Sequence, residues 1–136
     1  MSRRIRFRFS SGIEAVGIIK DEKAAEELLK DSPFESTANR WGDEIYFELP
    51  FDLGLKGERV VMKVGEIAYW PEGNSLCIFF GPTPVSRHGE PRAISKVKPL
   101  GEMVEGLDDV KMIKQGEKIR VEVEGYNREF KILFQE

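Results

Sequence analysis

The residues best equipped for chemistry fall in three short stretches of the 136-residue chain: Arg40-Trp41 with Glu44, Tyr46 and Glu48, then Tyr69 to Phe80, then Arg87 to Arg92. Arginine and Asn74 side chains can orient carbonyl or carboxylate groups, and aromatic rings supply apolar contact, which together suit a groove for a small ligand. Glu44 and Glu48 share one face of a strand with Tyr46, and two carboxylates flanking a bond are what a glycoside hydrolase uses. The spacing fits that loosely, and a solvated outer face is the reading preferred. Arg40 beside Trp41 is accounted for without a ligand by a guanidinium lying over the indole. His88 is the only imidazole; His clusters give metal sites their affinity, and Arg87 and Arg92 would repel a cation, so no metal or cofactor is expected and His88 reads as an exposed loop residue. Cys77 reads as a buried, inert thiol in mid-strand.

The elements that must hold these residues follow from periodicity. Ile5, Phe7 and Phe9 alternate with Arg4, Arg6 and Arg8, the period of a half-buried strand. Ser10-Ser11-Gly12 turns the chain, and 13–20 returns as a second strand. Asp21 caps a helix with Ala24, Ala25, Leu28 and Leu29 on its apolar stripe, ended by Pro33. Strands are expected at 44–49, 59–64, 65–70 and 75–80, the last two joined by a turn at Trp70-Pro71-Glu72-Gly73. Leu76, Ile78 and Phe80 point one way, Cys77 and Phe79 the other, and both sets are apolar. The stretch 81–93 reads as a long irregular loop, 101–107 as a second short helix with Met103, Val104 and Leu107 inward. Two final strands are expected, with Ile119, Val121 and Val123, then Phe130, Ile132 and Phe134, facing in. Glu122 and Glu124 fall on the outer face of the first of these two strands.

Length and balance set the outer limits. One domain over residues 1–136 is large enough for a single core. Charged residues make up 33% and the net charge is −3, so nucleic acid is not an expected partner. The bias toward Glu, Lys and Arg is of the kind thermophile proteins show. The single Cys excludes an internal disulfide and a cysteine-rich zinc site. With no apolar h-region and no run of about 18 apolar residues, neither secretion nor membrane is expected, and the chain reads as cytoplasmic.

The run "GEIAYWPEGNSLCIFFGPTP", Gly65 to Pro84, together with "EPRAIS", Glu90 to Ser95, resembles the signature of the cyclophilin-like family of small prokaryotic proteins. The order of elements is similar over nearly the whole chain. The resemblance implies a mostly β fold with two short helices, an eight-stranded closed barrel capped by helices. In it the first and last strands are neighbours, so Glu122 and Glu124 are expected beside Arg4, Arg6 and Arg8 as cross-strand ion pairs. Cyclophilins proper isomerise X-Pro bonds with an Arg that follows the first helix, a Phe-Met pair five and six residues on, and a Gln eight residues on. Here Arg40 sits in that region, and Ile45, Tyr46 and Glu48 stand at those spacings. The stretch that carries a Trp and a His in many cyclophilins has no Trp here, and His88 is out of register.

The leading expectation is therefore a binding module whose groove takes a short peptide, Pro-containing ones included, or a small molecule. Arg40, Trp41, Tyr46, Tyr69, Trp70, Asn74, Phe79, His88 and Arg92 are placed around it. The rival is a divergent peptidyl-prolyl isomerase, with Arg40 or Arg92 as transition-state donor and Phe79 or Phe80 as pocket. A third reading is a homo-oligomer that uses the aromatic run as its interface.

Overall fold

A computed structural model describes residues 2–125. The elements, in chain order, are β1 (Arg3–Phe9), β2 (Glu14–Ile19), α1 (Glu22–Asp31), β3 (Phe34–Thr37), β4 (Asn39–Arg40), β5 (Glu44–Glu48), β6 (Arg59–Val61), β7 (Glu66–Trp70), β8 (Ser75–Phe79), β9 (Arg92–Glu105), α2 (Leu107–Val110) and β10 (Lys118–Val123). The strand expected around Phe130, Ile132 and Phe134 lies outside the described residues. No helix among those described is long and apolar enough to cross a membrane.

The strands pair antiparallel in the order β3-β10-β1-β2-β9-β7-β8-β5-β4, with β6 added on β9. Their inward residues form the main core: Ile5, Phe7, Phe9, Ile45, Phe47, Ile67, Tyr69, Leu76, Ile78, Ile119 and Val121 are all buried. The alternation read in β1 is therefore correct, and its outward arginines meet acidic partners across the strands. Arg8 lies 3.3 Å from Glu122, Arg4 3.7 Å and Arg6 3.8 Å from Glu124, as expected. Helix α1 begins where Asp21 Oδ1 accepts the Ala24 amide at 2.9 Å, and it buries Ala24, Ala25 and Leu28.

Three expectations need correction. The fold is mostly β, but among the described residues no ladder joins the two edge strands, so the sheet is not a closed barrel. The edges meet in sequence at Ala38, whose backbone is committed elsewhere: its amide donates to Glu117 O at 2.8 Å, and its carbonyl accepts from Gly116 at 2.8 Å. Second, 34–37 is a strand, paired with β10, where irregular chain was expected. Third, 101–105 is not helical. It is the end of β9, paired with β2 (Ile19 opposite Gly101, Gly17 opposite Met103) and with β7 (Ile67 opposite Gly101). Two-sided strand pairing outweighs the helical spacing of Met103, Val104 and Leu107, and α2 shrinks to one turn.

Strand β9 is long and serves two layers. Its second half, Lys98 to Glu105, lies in the main sheet between β2 and β7. Its first half leaves that plane to pair with β6, with Arg59 opposite Val97 and Val61 opposite Arg92. That arm crosses the outer face of β7, β8 and β5, where it buries a second apolar cluster of Met62, Ala68, Cys77, Phe79, Ala93 and Val97.

The face assignment predicts contrasting costs. Phe7→Ala leaves a void in the main core and is expected to lose about 3–5 kcal/mol in urea unfolding. Arg6→Ala removes only surface ion pairs and should cost less than about 1 kcal/mol.

Candidate functional site

Where the arm of β9 leaves the sheet, its cover over the outer face is incomplete, and a cleft of about 220 Å³ opens there. Trp41, Glu44, Tyr46, Trp70, Ala93, Ile94 and Val97 line it. Each wall traces to local sequence. Trp41 stands at the mouth of the tight β4–β5 turn, in which Trp41 and Glu44 exchange backbone hydrogen bonds of 2.9 and 3.2 Å across Gly42-Asp43. Gly42 has φ 60°, a conformation that side chains disfavour. Trp70 ends β7, where its indole Nε1 donates to Ser95 Oγ at 2.7 Å, and Ser95 in turn donates to Glu72 Oε2 at 2.7 Å. Its ring lies against Gly73; a Cβ there would come within 2.1 Å of it, so glycine at this turn sets the ring's position. Tyr46 meets Trp70 edge to face, with centroids 5.8 Å apart and planes at 79°.

Glu44 departs most from its expected setting. Strand alternation puts Glu44, Tyr46 and Glu48 on the outer face, expected to be solvated. Glu48 is exposed, but Glu44 is only 5% exposed, because the second layer covers this end of β5. Burial pushes the Glu44 carboxyl up from 4.5 to about 7, against the lowering effect of a hydrogen bond from the Cys77 thiol. That thiol is raised well above its ordinary range by its own burial first, then by the Glu44 charge and the shared hydrogen bond. Cys77 is thus a buried thiol, as read. No ion pair reaches Glu44 within 4 Å among the described residues.

The remaining candidates are scattered, and Arg40 has a structural task. Its Nε donates to Gly42 O at 2.6 Å, its Nη1 to Lys111 O at 2.7 Å and Ile113 O at 2.9 Å, and its Nη2 to Asp43 Oδ1 at 3.2 Å. It does not lie over Trp41; the ring beneath it is Phe80, 4.8 Å from the guanidinium carbon. Arg92 is turned to Glu90, Nε to Oε2 at 3.0 Å. Glu90 also accepts the His88 amide at 2.7 Å and the Arg87 amide at 3.1 Å, and these bonds hold its carboxyl down at about 2, the His88 amide most. The long loop is thereby tied to itself, helped by Thr83 Oγ1 donating to Arg92 O at 2.6 Å. His88 is exposed at its tip and does not line the cleft.

Tyr69 and Asn74 face the main core, not the cleft. Tyr69 Oη lies 2.6 Å from Asn74 Oδ1 and 3.2 Å from Asp52 Oδ1, and burial raises its pKa. Asn74, at φ 45°, donates Nδ2 to Leu49 O and Phe51 O at 3.3 and 3.0 Å. Phe79 is fully buried in the outer cluster under the cleft. Of the nine expected site residues, Trp41, Tyr46 and Trp70 converge. Glu44, Ala93, Ile94 and Val97 were not placed there. Their signal lay in β8: a strand apolar on both faces requires a second covering layer, and Glu44, opposite Phe79, lies beneath it. Among the described residues no group of three or more His, Cys, Asp or Glu could hold a metal.

With fold and cleft in view, comparison with known proteins gives the family. A model described as cyclophilin-like matches residues 3–122. The chain belongs to the cyclophilin-like family. It is also similar to a hypothetical protein from Archaeoglobus fulgidus, known by its solution structure, at 36% identity and a TM-score of 0.70 over 89% of this chain and 94% of that one. No curated protein matches.

The buried carboxyl has a measurable signature in stability. Because its pKa is raised on folding, the folded chain holds this proton more tightly than the unfolded chain, so stability falls as pH rises from about 4.5 to about 7 and is level above. Glu44→Gln removes that slope. The variant is expected to gain roughly 3 kcal/mol over the parent in urea unfolding at pH 8.5, and less than about 1 kcal/mol at pH 5. An equal difference at both pH values would show that Glu44 carries no such shift.

Proposed function

We propose that this cyclophilin-like protein is a binding module, and that the cleft between the outer sheet face and the arm of β9 is its ligand site. The carrying observation is convergence: Trp41 and Tyr46 of the β4–β5 hairpin and Trp70 at the end of β7 line one cleft with a single carboxyl among them. Pockets that take small molecules combine mostly apolar walls with a few placed polar groups. At about 220 Å³ the cleft is smaller than those that enclose a whole drug-sized ligand, so it suits a head group, a side chain or the end of a peptide.

The isomerase alternative needs a guanidinium free to meet a prolyl nitrogen. Four of the five Arg40 N–H groups already have partners, and Arg92 is held by Glu90. The interface alternative needs exposed aromatics. Tyr69, Phe79 and Phe80 are buried by the chain itself, which leaves Trp70 alone half-buried in that run.

Two measurements test the reading. In a fragment and short-peptide screen by amide NMR, ligands should perturb residues 41–46, 70 and 93–97, and Trp70→Ala should weaken them at least tenfold. Perturbations centred elsewhere would overturn the choice of site. In a cis–trans exchange assay on X-Pro tetrapeptides, micromolar protein is expected to give no acceleration; clear acceleration would favour the isomerase instead.

A further inference from the structure

We propose that the cleft selects an organic cation, an alkylated ammonium head group whose charge is matched by Glu44 and whose apolar surface rests among Trp41, Tyr46 and Trp70. The inference rests on the binding reading above and names its ligand class.

Two independent features point to a positive ligand. One is the kind of wall. Three aromatic residues, two of them Trp and Tyr in edge-to-face contact, make up the non-aliphatic lining apart from Glu44. Aromatic faces attract cations through the ring quadrupole, Trp most strongly, and cages of such rings recognise quaternary ammonium groups. A neutral apolar ligand would be served as well by Leu or Val. The other feature is the unbalanced carboxyl. Glu44 is only 5% exposed, lines the cleft, and among the described residues has no cationic partner within 4 Å. Against that burial its charge is favoured only by the Cys77 thiol, a weak donor.

Nor is a counter-ion within easy reach from the neighbouring elements. Arg40, on the adjoining strand β4, is bound to Asp43 and three carbonyls. Arg59 on β6 makes a two-pronged contact with Glu66, 3.0 and 2.6 Å. Arg92, next to the cleft residue Ala93, is bound to Glu90. Lys98 on β9 is bound to Glu58 at 2.5 Å and lies 3.8 Å from Asp21. Each of these cations already faces an acid, and among the described residues the one acid in the cleft is left without a cation. A buried unpaired charge is costly, and a bound ammonium group would supply its partner. Alkyl groups on the nitrogen fit better than a bare ammonium, because the site offers one carboxylate for hydrogen bonding and otherwise apolar walls.

The test uses the whole chain at pH 8.5, above the Glu44 midpoint of about 7. Choline, its uncharged carbon isostere 3,3-dimethylbutanol, and a short peptide with an internal trimethyl-lysine are titrated by amide NMR and tryptophan fluorescence. Choline or the peptide should bind with perturbations at 41–46, 70 and 93–97, at least tenfold more tightly than the isostere. Tighter binding of the peptide would identify a protein-borne cation, and tighter binding of choline a free one. Glu44→Gln should weaken the cations at least tenfold and leave the isostere unchanged, while Trp70→Leu weakens both. Equal affinity for choline and the isostere, or cation binding indifferent to Glu44→Gln, overturns the cation class while the cleft stands as a binding site. If no probe perturbs the cleft, the cation class falls; if the fragment screen also finds it silent, the binding reading falls with it.

Discussion

Strand β8 has no polar face, and most of the architecture answers that constraint. All five of its residues are buried. Leu76 and Ile78 enter the main core, and Cys77 and Phe79 lie on the opposite side of the sheet. One hydrophobic interior cannot serve both sets, so a second layer has to be laid over the outer face. The chain provides it by extending β9 past the sheet and pairing the extension with β6. Antiparallel sheets commonly leave one face to water; here that option is closed by the composition of one five-residue strand.

The cleft is the unfinished edge of that second layer. Its walls are therefore drawn from elements fixed for structural reasons: the β4–β5 turn, the end of β7 and the arm of β9. This gives the site rigidity without a dedicated loop. It also explains how a glutamate at an outward-facing position comes to be buried. Glu44 occupies a register position that would be solvated on a one-layer sheet, and the layer that covers Phe79 covers it too. The carboxyl is left to hydrogen-bond a thiol, in a setting that favours its neutral form until the pH approaches 7.

Much of the main sheet could be read from sequence because period-two alternation with one apolar face is a strong and local signal. Residues 3–9 and 44–48 carry it, 14–19 follows as the return strand after a turn, 75–79 reads as a strand apolar on both faces beside a turn, and the Asp21 cap marks α1. The cross-strand ion pairs of Arg4, Arg6 and Arg8 followed from the strand order that the resemblance implied. What could not be read was long-range. The strand at 34–37 is short and depends on β10, some 85 residues away in sequence. The end of β9 carries helical spacing that only pairing with both β2 and β7 overrides. Sheet closure depends on where the Ala38 corner spends its hydrogen bonds, which no periodicity records. The site shows the same division. Trp41 and Trp70 were legible as aromatics beside turns and Tyr46 from its strand face. Tyr69 and Asn74 were drawn in by nearness in sequence and turn away from the cleft, and Phe79 lies on the cleft's side of the sheet but buried beneath it.

Arg40 shows how a position that the cyclophilin resemblance marks can carry a structural task. It stands after the first helix, where the cyclophilin resemblance looks for a catalytic arginine, and a guanidinium there is well placed to act on a peptide in a groove. In this chain the same side chain has turned to the carbonyls of Gly42, Lys111 and Ile113, and it lies over Phe80. Those contacts tie the β4–β5 turn to the segment after α2, a join that the described strand pairings do not make. An arginine released to bind substrate would give up three backbone carbonyls and the Asp43 ion pair. The open sheet and the committed arginine are thus one fact seen from two sides. That task holds Arg40 at this join, and Arg40 does not line the aromatic cleft.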